Sequence, residues 1–268
     1  QAYIDGGVYY IADSRVENLK KLKDFNLPKM LLRLPMPSEA GKVVKYADIS
    51  LNSEIKTIRA LSEEAFNLNK IHKIILMVDL GDLREGYYYR RELYDVVGEI
   101  SELRGIELMG IGTNLTCYGG VIPKEDNLKE LIKIAEFIKE KYNLSIELIS
   151  GGNSSSLHLL LDGKNIQGIN NLRLGESLVL GLETAYGNRI DNTFDDVFKL
   201  IAEIIEVKEK PSVPIGEIGR DAFGETPIFV DRGIRKRIIC GLGRQDVQID
   251  SLIPVDKNII ILGATLTI

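Results

Sequence analysis

Ile146-Glu147-Leu148-Ile149-Ser150-Gly151-Gly152-Asn153-Ser154-Ser155-Ser156 runs from an apolar stretch through paired glycines into a row of hydroxyls, just before Leu157 to Leu161. A strand that ends this way at the start of a helix is built to hold an anion. The glycines let the backbone turn tightly, with N–H groups pointing one way, and the serines can cap the helix or donate to a phosphate. A plain glycine turn with a serine N-cap is the competing reading of the same residues.

Outward from this stretch, short apolar runs alternate with helical patterns. The expected strands are Val8 to Ala12, Met30 to Leu34, Ala47 to Leu51, Ile74 to Asp79, Leu108 to Gly112, Ile146 to Ile149 and Ile169 to Leu174. Helical runs separate them: Val16 to Phe25, about Ser53 to Asn69, a helix ending near Leu103, and Asn127 to Tyr142. Continuous apolar strands covered by helices mark a parallel sheet buried on both faces.

Gln1 to Gly7 reads as the last turns of a helix stopped by Gly6-Gly7. A strand–helix unit is therefore expected upstream, and adding it gives a (β/α)₈ barrel whose first unit is missing from this chain. A doubly wound open sheet is the alternative, but no Gly-x-Gly-x-x-Gly turn supports it. After about Asn192 the pattern changes to charged, strand-like pieces punctuated by prolines: Val197 to Val207, Glu217 to Phe223, Ile228 to Val230, Arg235 to Gly241 and Ile259 to Leu262. The expected division is a barrel over 1–192 and a small all-β domain over 193–268.

Composition narrows the function. The net charge of −5 argues against a nucleic-acid partner, and the basic run Arg232 to Arg237 reads as a solvated strand face. Two cysteines, Cys117 and Cys240, suit a reducing cytoplasm and suggest neither a disulfide framework nor a metal site. No apolar run reaches the roughly 18 residues needed to span a bilayer.

In a barrel of this kind the phosphate is often held after strands seven and eight. Counting the missing unit as the first, Ser150 to Ser156 follows strand seven and Arg173-Leu174-Gly175-Glu176 follows strand eight. Asp79 with Arg84, and Thr113 with Asn114, lie at other strand ends. Each arginine could equally hold the rim together by ion pairs, and Asn114 could merely cap a turn. His72 and His158 read as packed histidines, and Cys117 as a small buried thiol. No lysine stands at the C-terminal end of a visible strand, so the chain offers a phosphate cradle without an evident base.

Several stretches together resemble the alanine/ornithine racemase family of pyridoxal-phosphate enzymes, and its ornithine racemase branch in particular. They are IADSR (11–15), MVDLGDLREG (77–86), GIGTNLTCYGGVIP (110–123), ISGGNSSSLHLLL (149–161), NLRLGESLVLG (171–181) and GRQDV (243–247). The resemblance implies a cofactor, pyridoxal 5'-phosphate, carried as a Schiff base on a lysine at the end of the first barrel strand, upstream of Gln1. It implies phosphate contacts from Asn153 and Ser154, next to Ser155, and from the backbone N–H groups at Gly175 and Glu176. Arg173 would face the pyridine nitrogen and Arg84 the phenolic oxygen. Asn114 stands where alanine racemases carry a histidine beside the ring.

The implied reaction is racemisation of a basic amino acid such as ornithine, with one base on each face of the substrate, in a cytoplasmic homodimer. The second base is not placed. The family's tyrosine motif is replaced by GLGRQD (241–246), and the Ser-Ser-Asp-His stretch of the ornithine branch is expected where Thr265 to Ile268 stand. Asp79, Asp82, Glu176 and Asp221 are candidates to meet a distal ammonium. A non-enzymatic pyridoxal-phosphate carrier and a decarboxylase of the same fold type are the alternatives. The residues beyond Asn192 weigh against the first, and the lack of a Glu-Pro-Gly-Arg motif against the second.

Overall fold

The computed structural model describes residues 1–261 and 263; Leu262, Ala264 and Thr265 to Ile268 lie outside the described residues. Expectations that fall on those positions therefore have no structural counterpart. Two compact units divide the chain, Gln1–Val197 and Phe198–Ile268.

The first unit opens on helix α1 (Ala2–Asp5), which stops at Gly6, followed by strand β1 (Ile11–Asp13) and α2 (Val16–Lys21). Then come β2 (Lys29–Leu31), α3 (Ala40–Tyr46), β3 (Ile49–Asn52) and α4 (Ile55–Asn67). They are followed by β4 (His72–Met77), α5 (Arg90–Glu102), β5 (Ile106–Gly112) and α6 (Glu125–Tyr142). Strand β6 (Leu148–Ser150) leads into α7 (Leu157–Leu161) and α8 (Glu176–Leu180). The six strands are parallel and lie in chain order, β1-β2-β3-β4-β5-β6, curled as a half-barrel.

Side-chain alternation gives the sheet two buried faces. Met30, Ile49, Leu51, Ile75, Met77, Met109 and Leu148 pack together on the inner face. Ile74, Leu76, Val78, Ile111 and Ile149 point the other way, against Ile58, Leu93, Val97, Leu131 and Ile138 of the helices. With both faces buried, the strands read as unbroken apolar runs. The helices carry matching stripes. Leu128, Leu131, Ala135 and Ile138 bury one face of α6, which ends at Asn143 in the left-handed conformation (φ 52°).

The seventh expected strand is reduced to a single parallel bridge between Ser150 and Asn171. Side-chain and backbone bonds share this edge. Asn170 Oδ1 accepts from Ile149 N–H at 2.8 Å and its Nδ2 donates to Glu147 carbonyl at 2.7 Å. Asn170 N–H donates to Ile149 carbonyl, Gly151 N–H to Asn171 carbonyl and Arg173 N–H to Gly152 carbonyl.

In the second unit, β7 (Ile204–Pro211) pairs antiparallel with β8 (Ile234–Cys240). Glu217 to Phe223, Ile228 to Val230 and Ile259 to Ile261 form no strand. Several of their apolar residues are exposed, with Ile228 at 94%, so these pieces have no sheet to bury them.

Candidate active site at the carboxyl ends of the strands

The loop after β6 is shaped by its glycines. Gly152 has φ +120°, and a Cβ there would lie 2.6 Å from Ser156 Oγ; one on Gly151 would lie 2.6 Å from Ile169 Cγ2. The backbone then enters a 3₁₀ turn, Ser154–Ser156, capped by Asn153, whose Oδ1 accepts from Ser155 N–H at 2.8 Å. Ser154 is buried, and its Oγ accepts from Ser177 N–H at 3.1 Å and Gly175 N–H at 3.4 Å. The two loops expected to share an anion therefore meet. Glu176 lies between them on the surface, at the start of α8.

Arg173 is buried beside this meeting point. Its Nη2 donates to Thr113 carbonyl at 2.7 Å and to Asn114 Oδ1 at 2.6 Å, and its Nη1 donates to Ser150 Oγ. Ser150 in turn donates to Asn171 Oδ1. Burial pushes the guanidinium down to about 10, while nearby Glu85 opposes that fall, so Arg173 carries its charge at neutral pH. A guanidinium has five N–H groups. Nε–H and one Nη1–H of Arg173 thus make no hydrogen bond among the described residues.

Arg84 is half-exposed, its Nε 3.0 Å from Glu85 Oε2. Glu85 Oε1 accepts from Asn114 Nδ2, which links Arg84 through Glu85 and Asn114 to Arg173. Asn153 Nδ2 reaches Leu115 carbonyl at 3.2 Å and Cys117 Sγ at 3.1 Å. Ser155 is fully buried, with its hydroxyl turned to Leu115 carbonyl at 3.3 Å. Arg84, Glu85, Asn114 and Arg173 are thus joined in one chain, which Asn153 reaches through Asn114 Oδ1 at 3.5 Å and Ser155 through Asn153, while Ser154 and Gly175 bond to each other.

One reading of an individual residue changes. Cys117 is exposed rather than buried. Its loop is turned outward at Thr116, which has φ 65°, and is pinned by Asp82. Burial alone would raise the Asp82 pKa, but N–H groups of Tyr118, Val121, Gly119 and Thr116 hold it below the carboxylate range. Asp82 is thereby committed to the loop. Asp79 is likewise engaged by Gly81 and Leu83 N–H groups, and Asp221, in the second unit, by those of Phe223 and Glu225.

His72 is a packed histidine, its Nε2 2.8 Å from Ser50 Oγ. His158 Nδ1 lies 2.7 Å from Ser155 carbonyl, under the Tyr186 ring.

Glu85 and Ser177 were given no role by the sequence reading, although Ser150 stood within the stretch it singled out. Glu85 directly follows Arg84 and Ser177 directly follows Glu176, so adjacency was the available sign. The buried hydroxyls of Ser177 and Thr113 have no hydrogen-bond partner among the described residues. Such groups are costly unless something fills them.

Comparison with known proteins identifies the family of the chain. The alanine racemase N-terminal domain matches residues 1–182. An ornithine racemase of Acetoanaerobium sticklandii is 56% identical over 96% of this chain and 73% of its own length. A lysine racemase of Thermotoga maritima is 43% identical over 97% of this chain and 73% of its own. In fold, an alanine racemase structure from Clostridium difficile 630 superposes with a TM-score of 0.58 at 19% identity, covering 90% of this chain and 61% of that one. With the domain matched over most of the chain and a relative aligned along nearly all of it, this chain belongs to the alanine racemase family.

Proposed function

We propose that this protein is a pyridoxal-phosphate-dependent racemase of amino acids with basic side chains, ornithine or lysine. The observation that carries the reading is the meeting of the Gly175 and Ser177 N–H groups on Ser154 Oγ, beside buried Arg173. The relatives named for ornithine and lysine give the substrate class.

The residues present fit this cofactor. The Gly175 and Ser177 N–H groups converge on Ser154 Oγ, whose own O–H hydrogen is left to donate, and this corner at the start of α8 suits a phosphate, which offers acceptors. Arg173 can only donate, so its spare N–H groups suit a ring nitrogen that carries no proton. Asn153 and Ser155 hold the loop in shape from behind, and Arg84 stands at the rim. Gly175 and Glu176 begin α8 at the phosphate end.

The chemistry that pyridoxal phosphate supplies when bound is stabilisation of negative charge at the α-carbon of an amino acid. Arg173 retains its own proton at neutral pH and so limits how strongly the ring withdraws electrons. That favours brief removal and return of the α-proton over transamination. The same reading makes 1–192 the cofactor-binding domain and 193–268 a β domain, in a cytoplasmic homodimer. The free thiols of Cys117 and Cys240 suit that compartment. No helix among the described residues is long and apolar enough to cross a membrane.

Incubating full-length protein and pyridoxal phosphate with L-ornithine, L-lysine or L-alanine, then separating enantiomers, tests the proposal. D-ornithine or D-lysine should accumulate faster than D-alanine. No D-enantiomer from any of the three would end it.

A further inference from the structure

Asn114 sits between two groups that leave its amide one way to turn. Glu85 Oε1 accepts from Asn114 Nδ2, and Asn114 Oδ1 accepts from Arg173 Nη2 at 2.6 Å. An ionised carboxylate only accepts and a guanidinium only donates. The reverse orientation would set NH₂ against the guanidinium and the amide oxygen against the carboxylate, losing both bonds. Glu85 is itself fixed, its other oxygen 3.0 Å from Arg84 Nε and its side chain 12% exposed. The hydrogen bonds therefore run in one direction, from Arg173 to Asn114 to Glu85.

We propose that Glu85 is a positioning residue. By fixing the Asn114 amide it holds Arg173 with Nε–H and one Nη1–H turned free for the cofactor ring. Glu85 itself touches neither cofactor nor substrate. The inference rests on the reading that this site takes pyridoxal phosphate. What it adds is that a carboxylate outside the phosphate loops, through an amide, sets how the arginine is presented.

The direction of the chain makes a reversal experiment possible. In N114D two carboxylates face each other. In the double variant E85Q/N114D the introduced amide can donate to the introduced carboxylate, which still accepts from Arg173. In E85L the Asn114 amide loses its outer acceptor and is held by Arg173 alone. Wild type, E85L, N114D and E85Q/N114D of the full-length protein are compared by two readouts. One is the thermal midpoint without cofactor. The other is the Kd and visible spectrum with added pyridoxal phosphate.

N114D should melt lower than wild type by roughly 2–4 °C, and the double variant should recover most of that loss. E85L and N114D should bind pyridoxal phosphate about tenfold more weakly with a shifted band, and E85Q/N114D should return towards wild type in both. A double variant no better than N114D in either readout overturns the inference, as does an E85L spectrum and Kd equal to wild type. Wild-type protein that retains no pyridoxal phosphate overturns the cofactor reading and the inference with it. The cofactor-free melting series then still reports whether the three side chains are coupled.

Discussion

The backbone N–H of Ser177 donates to the hydroxyl of Ser154 at 3.1 Å, joining residues 23 positions apart. Neither loop forms this corner alone. One contributes a buried oxygen and the other two amide hydrogens that bond to it, and the proposed phosphate corner is built from both.

Replacing Ser154 by Ala removes the oxygen and leaves the two amides. Pyridoxal phosphate should bind about tenfold more weakly, with little change for phosphate-free pyridoxal. Titrating both ligands checks this, and an equal loss for both would place the phosphate elsewhere.

Arg173→Lys replaces a planar fork bonded to three groups with a single ammonium. Racemisation should fall by about two orders of magnitude, with a changed cofactor absorption band. Steady-state kinetics and absorption spectra measure the two effects. Unchanged kinetics would remove Arg173 from the site.

Gly152→Ala forces a Cβ to 2.6 Å from Ser156 Oγ at a φ of +120°. It should cost about 2 kcal/mol or more of folding stability. Gly175→Ala is the control, since a Cβ there meets nothing within 4 Å. Equilibrium unfolding should separate the two variants clearly.

His72 should make the fold sensitive to acid. Burial first, with help from Lys70, lowers its pKa from 6.5 to about 4, against the opposing pull of Asp48 and Ala47. The neutral ring is favoured in the fold, so the unfolded chain binds the extra proton between those values. Stability present above pH 6.5 is therefore lost as pH falls towards 4, by roughly 3 kcal/mol. Denaturant titrations of wild type and His72→Gln across this range should show a shallower slope for the variant.

Much of this architecture was legible because its strands are buried on both faces and so read as plain apolar runs. Ser150 to Ser156 was legible because Gly152 and the hydroxyls each answer a local need. Ile169 to Leu174 was legible only in part: its backbone does bond to Ile149, Gly151 and Gly152, but the Asn170 side chain takes the Ile149 N–H and Glu147 carbonyl, and one bridge is all that remains of a strand. Cys117 misled because Asp82, from a separate loop, decides which way Thr116 turns the chain. Glu85 was invisible for a different reason: a glutamate next to an arginine is ordinary, and only the approach of Asn114 gives it a task. The pieces in the second unit looked like strands by residue type, yet pairing depends on neighbours that type does not specify.

The strand order β1 to β6, identical to chain order, bears on how the molecule is made. As the chain leaves the ribosome, each new strand finds its partner already in place at the growing edge, so assembly can proceed vectorially. Arg173 emerges after all six. Its bonds to Thr113, Asn114 and Ser150 would form only then, on strands already standing.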